Sequence, residues 1–203
     1  MRKKDFFVVA IGTSAGGFNV LKSVLRRLPE HNNAAFIIIQ HLHPNFKSIS
    51  EKLLAPYTKM QVHRAHENHL VRSGFVYVLP ENKTMTIKNG RLSLAERKPE
   101  HIINRAITIF FESMGPDLKE RAIGIVLTGD GTDGTDGSAS IHHHGGVIMV
   151  QRPDTAEFES MPQSMVSHGL SNFTLPVDLL VDTLAELIRP EAKDLSGIKY
   201  QVE

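Results

Sequence analysis

Continuous apolar runs alternate along this chain with segments of helical periodicity. Three runs, at residues 6–11, 34–39 and 122–127, contain almost no polar side chain, and residues 146–150 form a fourth. An apolar run without polar alternation is typical of a strand that is buried on both faces of a parallel sheet. The pattern therefore predicts a core of mainly parallel strands.

The segments between these runs carry apolar residues at helical spacing. The first extends over residues 20–28 and stops at Pro29, and others cover residues 102–114 and 180–188. Apolar residues three and four positions apart form one face of an amphipathic helix, and proline ends such a helix. Alternation of strands and helices predicts an α/β fold, a doubly wound and mostly parallel sheet flanked by helices.

A small antiparallel hairpin is predicted in the middle of the chain. Residues 75–79, 85–87 and 91–94 have the composition of strands, and Asn89-Gly90 separates the last two. Asn-Gly between two strand-like segments is a strong signal for a two-residue hairpin turn. We interpret all three segments as antiparallel strands beside the main sheet.

Composition narrows the classes of protein to which the chain can belong. It has 203 residues, 41% of them hydrophobic, a net charge of +1 and no cysteine. We expect one folded domain over residues 1–190 and a polar tail over 191–203. The near-neutral charge predicts no nucleic-acid partner, and the absence of cysteine excludes thiol catalysis. Without a signal peptide or about 18 consecutive apolar residues, we expect no membrane insertion and a cytoplasmic location.

Ser14 lies in the sequence Gly-Thr-Ser-Ala-Gly-Gly, between the first predicted strand and the first predicted helix. Here Gly12, Gly16 and Gly17 relieve the crowding of a sharp strand-to-helix turn, and G-x-S-x-G is the pattern of a nucleophile elbow. Such turns also bind phosphate or cap helices, although neither a G-x-G-x-x-G nor a Walker lysine is present. Ser14 is the candidate nucleophile.

A nucleophilic serine requires a base and a group that orients the base. His41 follows the second apolar run, and Asp133 lies in the glycine-rich segment 128–137 that follows the third. Because α/β sheets form their sites outside the carboxyl ends of parallel strands, Ser14, His41 and Asp133 can converge at one edge. Their order along the chain differs from that of the α/β-hydrolases, chymotrypsin and subtilisin.

At this point the chain resembles a known family, the chemotaxis receptor methylesterases or CheB family, in its catalytic domain. The segments that carry the resemblance occur in the same order over nearly the whole chain. They are residues 10–17, Gln40-His41, residues 74–80, residues 126–134, Gly145-Gly146 and Met161-Pro162.

The resemblance implies a catalytic triad of Ser14 as nucleophile, His41 as general base and acid, and Asp133 as the orienting carboxylate. It also implies an oxyanion site formed by backbone amides near His41 and Asp130. The implied substrates are methyl esters, and also glutamine amides, on the cytoplasmic helices of chemoreceptors. The implied products are glutamate with methanol or ammonia, and no cofactor takes part.

The chain departs from the family pattern at several points. It has Asp130 where the best-known members have methionine, and Ala15 where many have threonine. A carboxylate aimed at an oxyanion would oppose it, so we expect the Asp130 side chain to face solvent or a basic partner. Full-length members usually carry a phospho-receiver domain. Since the first strand begins within ten residues of Met1, we expect no receiver domain and a separate regulator, unless the chain is a piece of a longer protein.

Two other motifs could suggest a metal site, but each has a simpler structural explanation. Three consecutive histidines, 142–144, precede a predicted helix end, and Asp130, Asp133 and Asp136 lack the spacing of a calcium loop. We therefore expect no metal site. Two alternatives to a receptor methylesterase stay open: a catalytically silent module that binds a partner or a nucleotide, and an esterase or amidase for a small molecule.

Overall fold

The computed structural model describes residues 6–40, 51–97 and 104–191. Along the chain the strands are β1 (Phe7–Thr13), β2 (Ala34–Gln40), β3 (Gln61–Arg64), β4 (His69–Leu70), β5 (Phe75–Val78), β6 (Lys83–Lys88), β7 (Arg91–Glu96), β8 (Ala122–Val126), β9 (Val147–Gln151) and β10 (Phe173–Leu175). The helices are α1 (Gly17–Arg27), α2 (Glu51–Leu54), α3 (Ala106–Leu118), α4 (Thr135–His143), α5 (Ser160–Ser167) and α6 (Val177–Leu187).

Seven strands form one sheet in the order β10-β9-β8-β1-β2-β5-β3. Every neighbouring pair in it is parallel, which confirms the predicted doubly wound α/β fold. The chain moves from β1 to β2 on one side and later returns to β8 on the other. The strand order therefore reverses beside β1, and the crevice at such a switch point is where α/β sheets form their sites.

Helices cover both faces of the sheet. The side chains of Phe7, Val9 and Ile11 point to the face covered by α1 and α6, whereas Val8 and Ala10 point to the face covered by α3, α4 and α5. All seven residues of β1 are buried. Burial on both faces is the reason that this strand is a continuous apolar run rather than an alternating one.

The prediction for residues 75–79 is wrong in one respect. β5 is not antiparallel but lies between β2 and β3 in the parallel sheet. Its residues Val76, Tyr77 and Val78 are buried, so the run belongs to the main core. The sequence analysis missed β3, because this edge strand is polar and only partly buried.

The Asn89-Gly90 hairpin is confirmed between β6 and β7, and β4 adds a third antiparallel strand. Both turn residues have positive φ, 53° at Asn89 and 68° at Gly90, as a tight hairpin turn requires. This small sheet contacts α3. It adds to the core on the α3 side and lies apart from the edge at which the candidate site forms.

The predicted helices are present as α1, α3 and α6, although residues 102–103 of the predicted α3 lie outside the described residues. Most of the predicted tail, residues 192–203, lies outside them as well. Across the three described ranges, no helix is both long enough and apolar enough to span a bilayer.

Candidate active site

The turn between β1 and α1 is as sharp as the motif predicts. β1 ends at Thr13 and α1 begins at Gly17, with Gly16 in the left-handed region at φ 72°. A Cβ atom at Gly12 would lie 2.6 Å from Ile107, and one at Gly17 would collide with Thr13. The elbow therefore needs glycine for its backbone conformation at Gly16 and for close packing at the other two positions.

Thr128, immediately after β8 and Leu127, holds the elbow in place. Its carbonyl oxygen accepts hydrogen bonds from the Ser14 amide at 3.1 Å and from the Thr13 hydroxyl at 2.7 Å. Its own hydroxyl oxygen lies 3.2 Å from the Ala15 carbonyl oxygen and accepts the Phe158 amide at 2.9 Å. Sequence reasoning missed Thr128, because its partners Thr13, Ser14 and Phe158 are distant in sequence.

Ser14 is half-buried at the carboxyl end of β1. A Cβ atom at Gly129 would lie 2.9 Å from the Ser14 Cβ and 2.5 Å from the Met161 Cε. The serine side chain thus lies directly against a glycine, with a methionine behind it. Among the described residues no group hydrogen-bonds to the Ser14 hydroxyl.

Asp133 is 8% exposed and accepts three backbone hydrogen bonds. Its Oδ1 accepts the amides of Thr108 and Gly134, and its Oδ2 accepts the amide of Ile107, all at 2.9 Å. Ile107 and Thr108 lie in the first turn of α3, where backbone amides lack intrahelical partners. Asp133 therefore acts as an N-terminal cap for α3, and its carboxylate is fixed in one orientation with its charge stabilised.

Ile107 connects the two parts of the site. Its side chain packs against Gly12, two residues before Ser14, while its amide binds Asp133. Ser14 and Asp133 thus lie at the same edge of the sheet. His41, the candidate base, lies outside the described residues, but it directly follows Gln40, which pairs with Thr13 across β2 and β1. The Gln40 side-chain oxygen is buried, and no described residue hydrogen-bonds to it.

The Asp130 side chain is exposed, as predicted. Its Oδ1 lies 2.8 Å from the Ser160 hydroxyl and accepts the Gly131 amide at 3.0 Å. The carboxylate is thereby directed to the start of α5. The assignment of nearby backbone amides to an oxyanion site stays a prediction.

Glu157 and Phe158, in the loop before α5, form a rim beside the Ser14 turn. The sequence analysis did not identify them. Glu157 lies over Gly16, since a Cβ atom there would be 2.7 Å from the Glu157 Oε2. Phe158 keeps 41% of its surface exposed, although its backbone is hydrogen-bonded to Thr128 and Gly129. A fixed, exposed aromatic ring at the rim suits contact with a substrate.

The histidines at 142–144 form the C-terminal end of α4. His142 and His143 are exposed, and the His144 Nδ1 lies 2.8 Å from the Ser140 carbonyl oxygen. Within the described part of the chain no cluster of histidine, aspartate or glutamate has the arrangement of a metal site.

Comparisons with known proteins show which family the chain resembles over most of its length. Residues 9–184 match the family model described as CheB methylesterase. A protein-glutamate methylesterase/protein-glutamine glutaminase of Symbiobacterium thermophilum is 32% identical over 89% of this chain and 50% of its own length. A Leptospira interrogans protein, named as the putative form of the same enzyme, is 28% identical over 90% of this chain and 95% of its own length.

A solved structure supports the same relationship. The CheB methylesterase catalytic domain of Thermotoga maritima is 27% identical, with a TM-score of 0.80 over 90% of this chain and 98% of that domain. The chain spans about half the length of several curated relatives, such as the full-length Thermotoga maritima enzyme, of which it covers 54%.

Proposed function

Because the chain belongs to the CheB methylesterase family, we propose that it is a serine hydrolase that cleaves glutamate methyl esters on chemoreceptors. The observation that carries this proposal is the Ser14 elbow, held by Thr128 at the same sheet edge as the fixed carboxylate of Asp133. Deamidation of receptor glutamines is included, since an ester and an amide lead to the same acyl-enzyme and relatives are named for both reactions.

The proposed reaction has two steps. His41 takes the Ser14 proton as the Ser14 Oγ attacks the ester carbonyl. It then protonates the methoxide oxygen as the ester C–O bond breaks, so that methanol leaves and an acyl-enzyme remains. His41 next takes a proton from water, the resulting hydroxide attacks the acyl carbon, and the proton returns to Ser14 as glutamate is released. Asp133 orients the imidazole throughout and stabilises its positive charge.

Backbone amides near His41 and Asp130 would stabilise the oxyanion in both steps. The N-terminus of α1 behind Ser14 adds favourable partial charge. Loss of one oxyanion donor typically costs on the order of 10²–10³ in rate. The backbone conformation near His41 and near Asp130 is therefore expected to affect the rate nearly as much as the triad does.

The proposed substrate implies the partners and the cellular location of the enzyme. Its partners are the cytoplasmic helices of chemoreceptors, so the proposed reaction takes place in the cytoplasm. Residues 1–190 form the catalytic unit. Neither nucleic acid nor a cofactor takes part.

Methanol release from methylated chemoreceptor membranes tests this proposal directly. We expect release by the parent and a loss of at least about 10³-fold in Ser14→Ala, because the residual rate without a nucleophile comes from binding alone. His41→Gln is expected to lose a similar factor, whereas His43→Gln, two residues away, serves as its matched control and keeps the parental rate.

Unmethylated membranes provide the background. If the folded parent releases no methanol from several receptors, the receptor methylesterase assignment is wrong. Release that persists in Ser14→Ala would instead support the methylesterase activity but show that Ser14 is not the nucleophile. Hydrolysis of small esters without any receptor demethylation would favour the small-molecule alternative.

A further inference from the structure

One face of α1 carries a row of residues four positions apart, of which Phe18 and Lys22 are half-buried and Arg26 is exposed. Phe18, Lys22 and Arg26 occupy successive turns, so their side chains lie on one line along the helix. The row starts one residue after Gly17, at the end of α1 that adjoins Ser14. It therefore leads away from the candidate active site across the surface of the molecule.

Aromatic rings hold the two cations of this row in position. The Lys22 Nζ lies 4.8 Å from the ring centre of Phe18 and 5.7 Å from that of Tyr57, and the Arg26 Cζ lies 4.6 Å from that of Tyr57. Contacts between a cation and a ring face restrict long side chains that otherwise move freely. We call these four residues, Phe18, Lys22, Arg26 and Tyr57, the α1 stripe.

The cations of the α1 stripe have no acidic partner among the described residues. The adjacent Arg27 differs, because it pairs with Asp178 and Asp182 of α6. The fold thus neutralises Arg27 and leaves Lys22 and Arg26 with their charge available. A cavity of about 400 Å³ beside Arg26 and Tyr57 adds a concave surface at the far end of the stripe.

We propose that the α1 stripe docks the acidic face of a helix in the substrate protein. This inference rests on the proposed function: each demethylation turns a neutral ester into a carboxylate, so a helix with some sites already demethylated is acidic beside the ester that is cleaved next. Lys22 and Arg26 are separated by four residues, or about 6 Å along the axis. Carboxylates four residues apart on a partner helix have the same separation and so match both cations.

The stripe fits a protein helix better than a membrane or a nucleic acid. Its positive charge is confined to one narrow line, and the paired acidic residues Asp178 and Asp182 lie beside it. The whole chain carries a net charge of only +1. An anionic membrane or a nucleic acid requires a broad basic surface, whereas the α1 stripe offers two cations and two aromatic rings.

The double charge reversal Lys22→Glu/Arg26→Glu tests the inference. Methanol release from methylated receptor membranes gives KM and kcat, and p-nitrophenyl acetate hydrolysis reports on the catalytic residues alone. We expect the KM for receptor to rise roughly tenfold, because two attractive contacts become repulsive. The kcat and the hydrolysis of the small ester should stay close to the parental values. Added salt should raise the parental KM and affect the variant less.

The control is Lys88→Glu/Lys119→Glu, which makes the same change of charge at exposed positions away from α1, in β6 and just after α3. An unchanged KM in the stripe variant, or an equal rise in the control, would overturn the docking role. An equal loss of small-ester hydrolysis would also overturn it, because the stripe would then support the fold of the site. No methanol release by the parent would instead refute the proposed function, so the two failures are distinguishable.

Discussion

Thr128 forms hydrogen bonds to Thr13, Ser14 and Ala15 of the strand-to-helix turn. Its carbonyl oxygen binds the Ser14 amide and the Thr13 hydroxyl, and its hydroxyl binds the Phe158 amide. The backbone contacts survive any substitution, but the hydroxyl contacts do not. A buried amide that loses its acceptor costs more than the bond itself contributes. Thr128 therefore couples the elbow to the rim of the site.

Thr128→Val tests this coupling with little change in shape. We expect the free energy of unfolding to fall by about 1–2 kcal/mol, because the Phe158 amide is left unpaired, and ester hydrolysis to fall because the rim loosens. Chemical denaturation measures the first effect. Thr132→Val, at an exposed position in the same loop, is the control and should change stability by less than about 0.5 kcal/mol. Equal stability of Thr128→Val and parent would contradict the assignment.

Asp130 illustrates a departure from the family pattern that the fold tolerates. Its carboxylate is exposed and directed to Ser160, so it exerts only a screened effect on an oxyanion. We expect Asp130→Met to change the rate of ester hydrolysis by less than about threefold, which corresponds to under ~1 kcal/mol. Steady-state kinetics on a small ester checks this. A gain of tenfold or more would show that the carboxylate opposes the transition state.

At the level of elements, the site and the start of α3 share one residue. Arg105, at the N-cap position of α3, makes no side-chain capping hydrogen bond, and Asp133 supplies the cap from the β8 loop. A carboxylate whose only role was to orient a histidine would not need to cap a helix. The capping hydrogen bonds make Asp133 important for stability in addition to its proposed catalytic role.

Asp133→Asn separates the two roles by a stability measurement. The asparagine NH₂ group would face a backbone amide donor, so we expect unfolding to become easier by about 1–3 kcal/mol and amide exchange in the first turn of α3 to accelerate. Asp136→Asn, which removes the charge at an exposed position on α4, should cost less than about 1 kcal/mol. If Asp133→Asn is inactive but as stable as the parent, the capping role is wrong.

A second element-scale feature is the histidine cluster between β3, β4 and β5. The His69 ring stacks on His66 at 3.7 Å between centroids and contacts Tyr77 edge-on at 4.8 Å. Burial lowers the pKa of His69 most, and the positive charges of His66, His63 and Arg72 lower it further. No described residue hydrogen-bonds to the His69 Nδ1. Protonation of His69 is therefore less favourable in the folded protein than in the unfolded chain.

This shift predicts how stability depends on pH. Below a histidine's usual pKa of about 6.5 the unfolded chain binds a proton at this position that the folded chain does not, so stability falls as the pH decreases from 6.5. Denaturation from pH 8 to 5 should show this loss, and His69→Gln should reduce it. The exposed His168 gives the control, His168→Gln, which should keep the parental slope. A slope unaffected by His69→Gln would contradict the prediction.

At the scale of the whole molecule, burial determined what could be predicted from the sequence. β1, β2 and β8 are buried on both faces, so their apolar runs identified them and placed Ser14 and Asp133 at one edge. β3 is an edge strand with a polar sequence, and its pairing with β5 depends on tertiary contacts that no local pattern records. Thr128 and Glu157 were missed for the same reason, because their partners are distant in sequence.

The central claim is that Ser14 is the activated nucleophile of this fold. Labelling with a fluorophosphonate, followed by peptide mass spectrometry, tests it most directly, because the reagent modifies only activated serines. We predict a single adduct on Ser14, no labelling of Ser14→Ala, and much slower labelling of His41→Gln than of His43→Gln. A folded parent that is unlabelled, or that is labelled at another serine, would contradict the account.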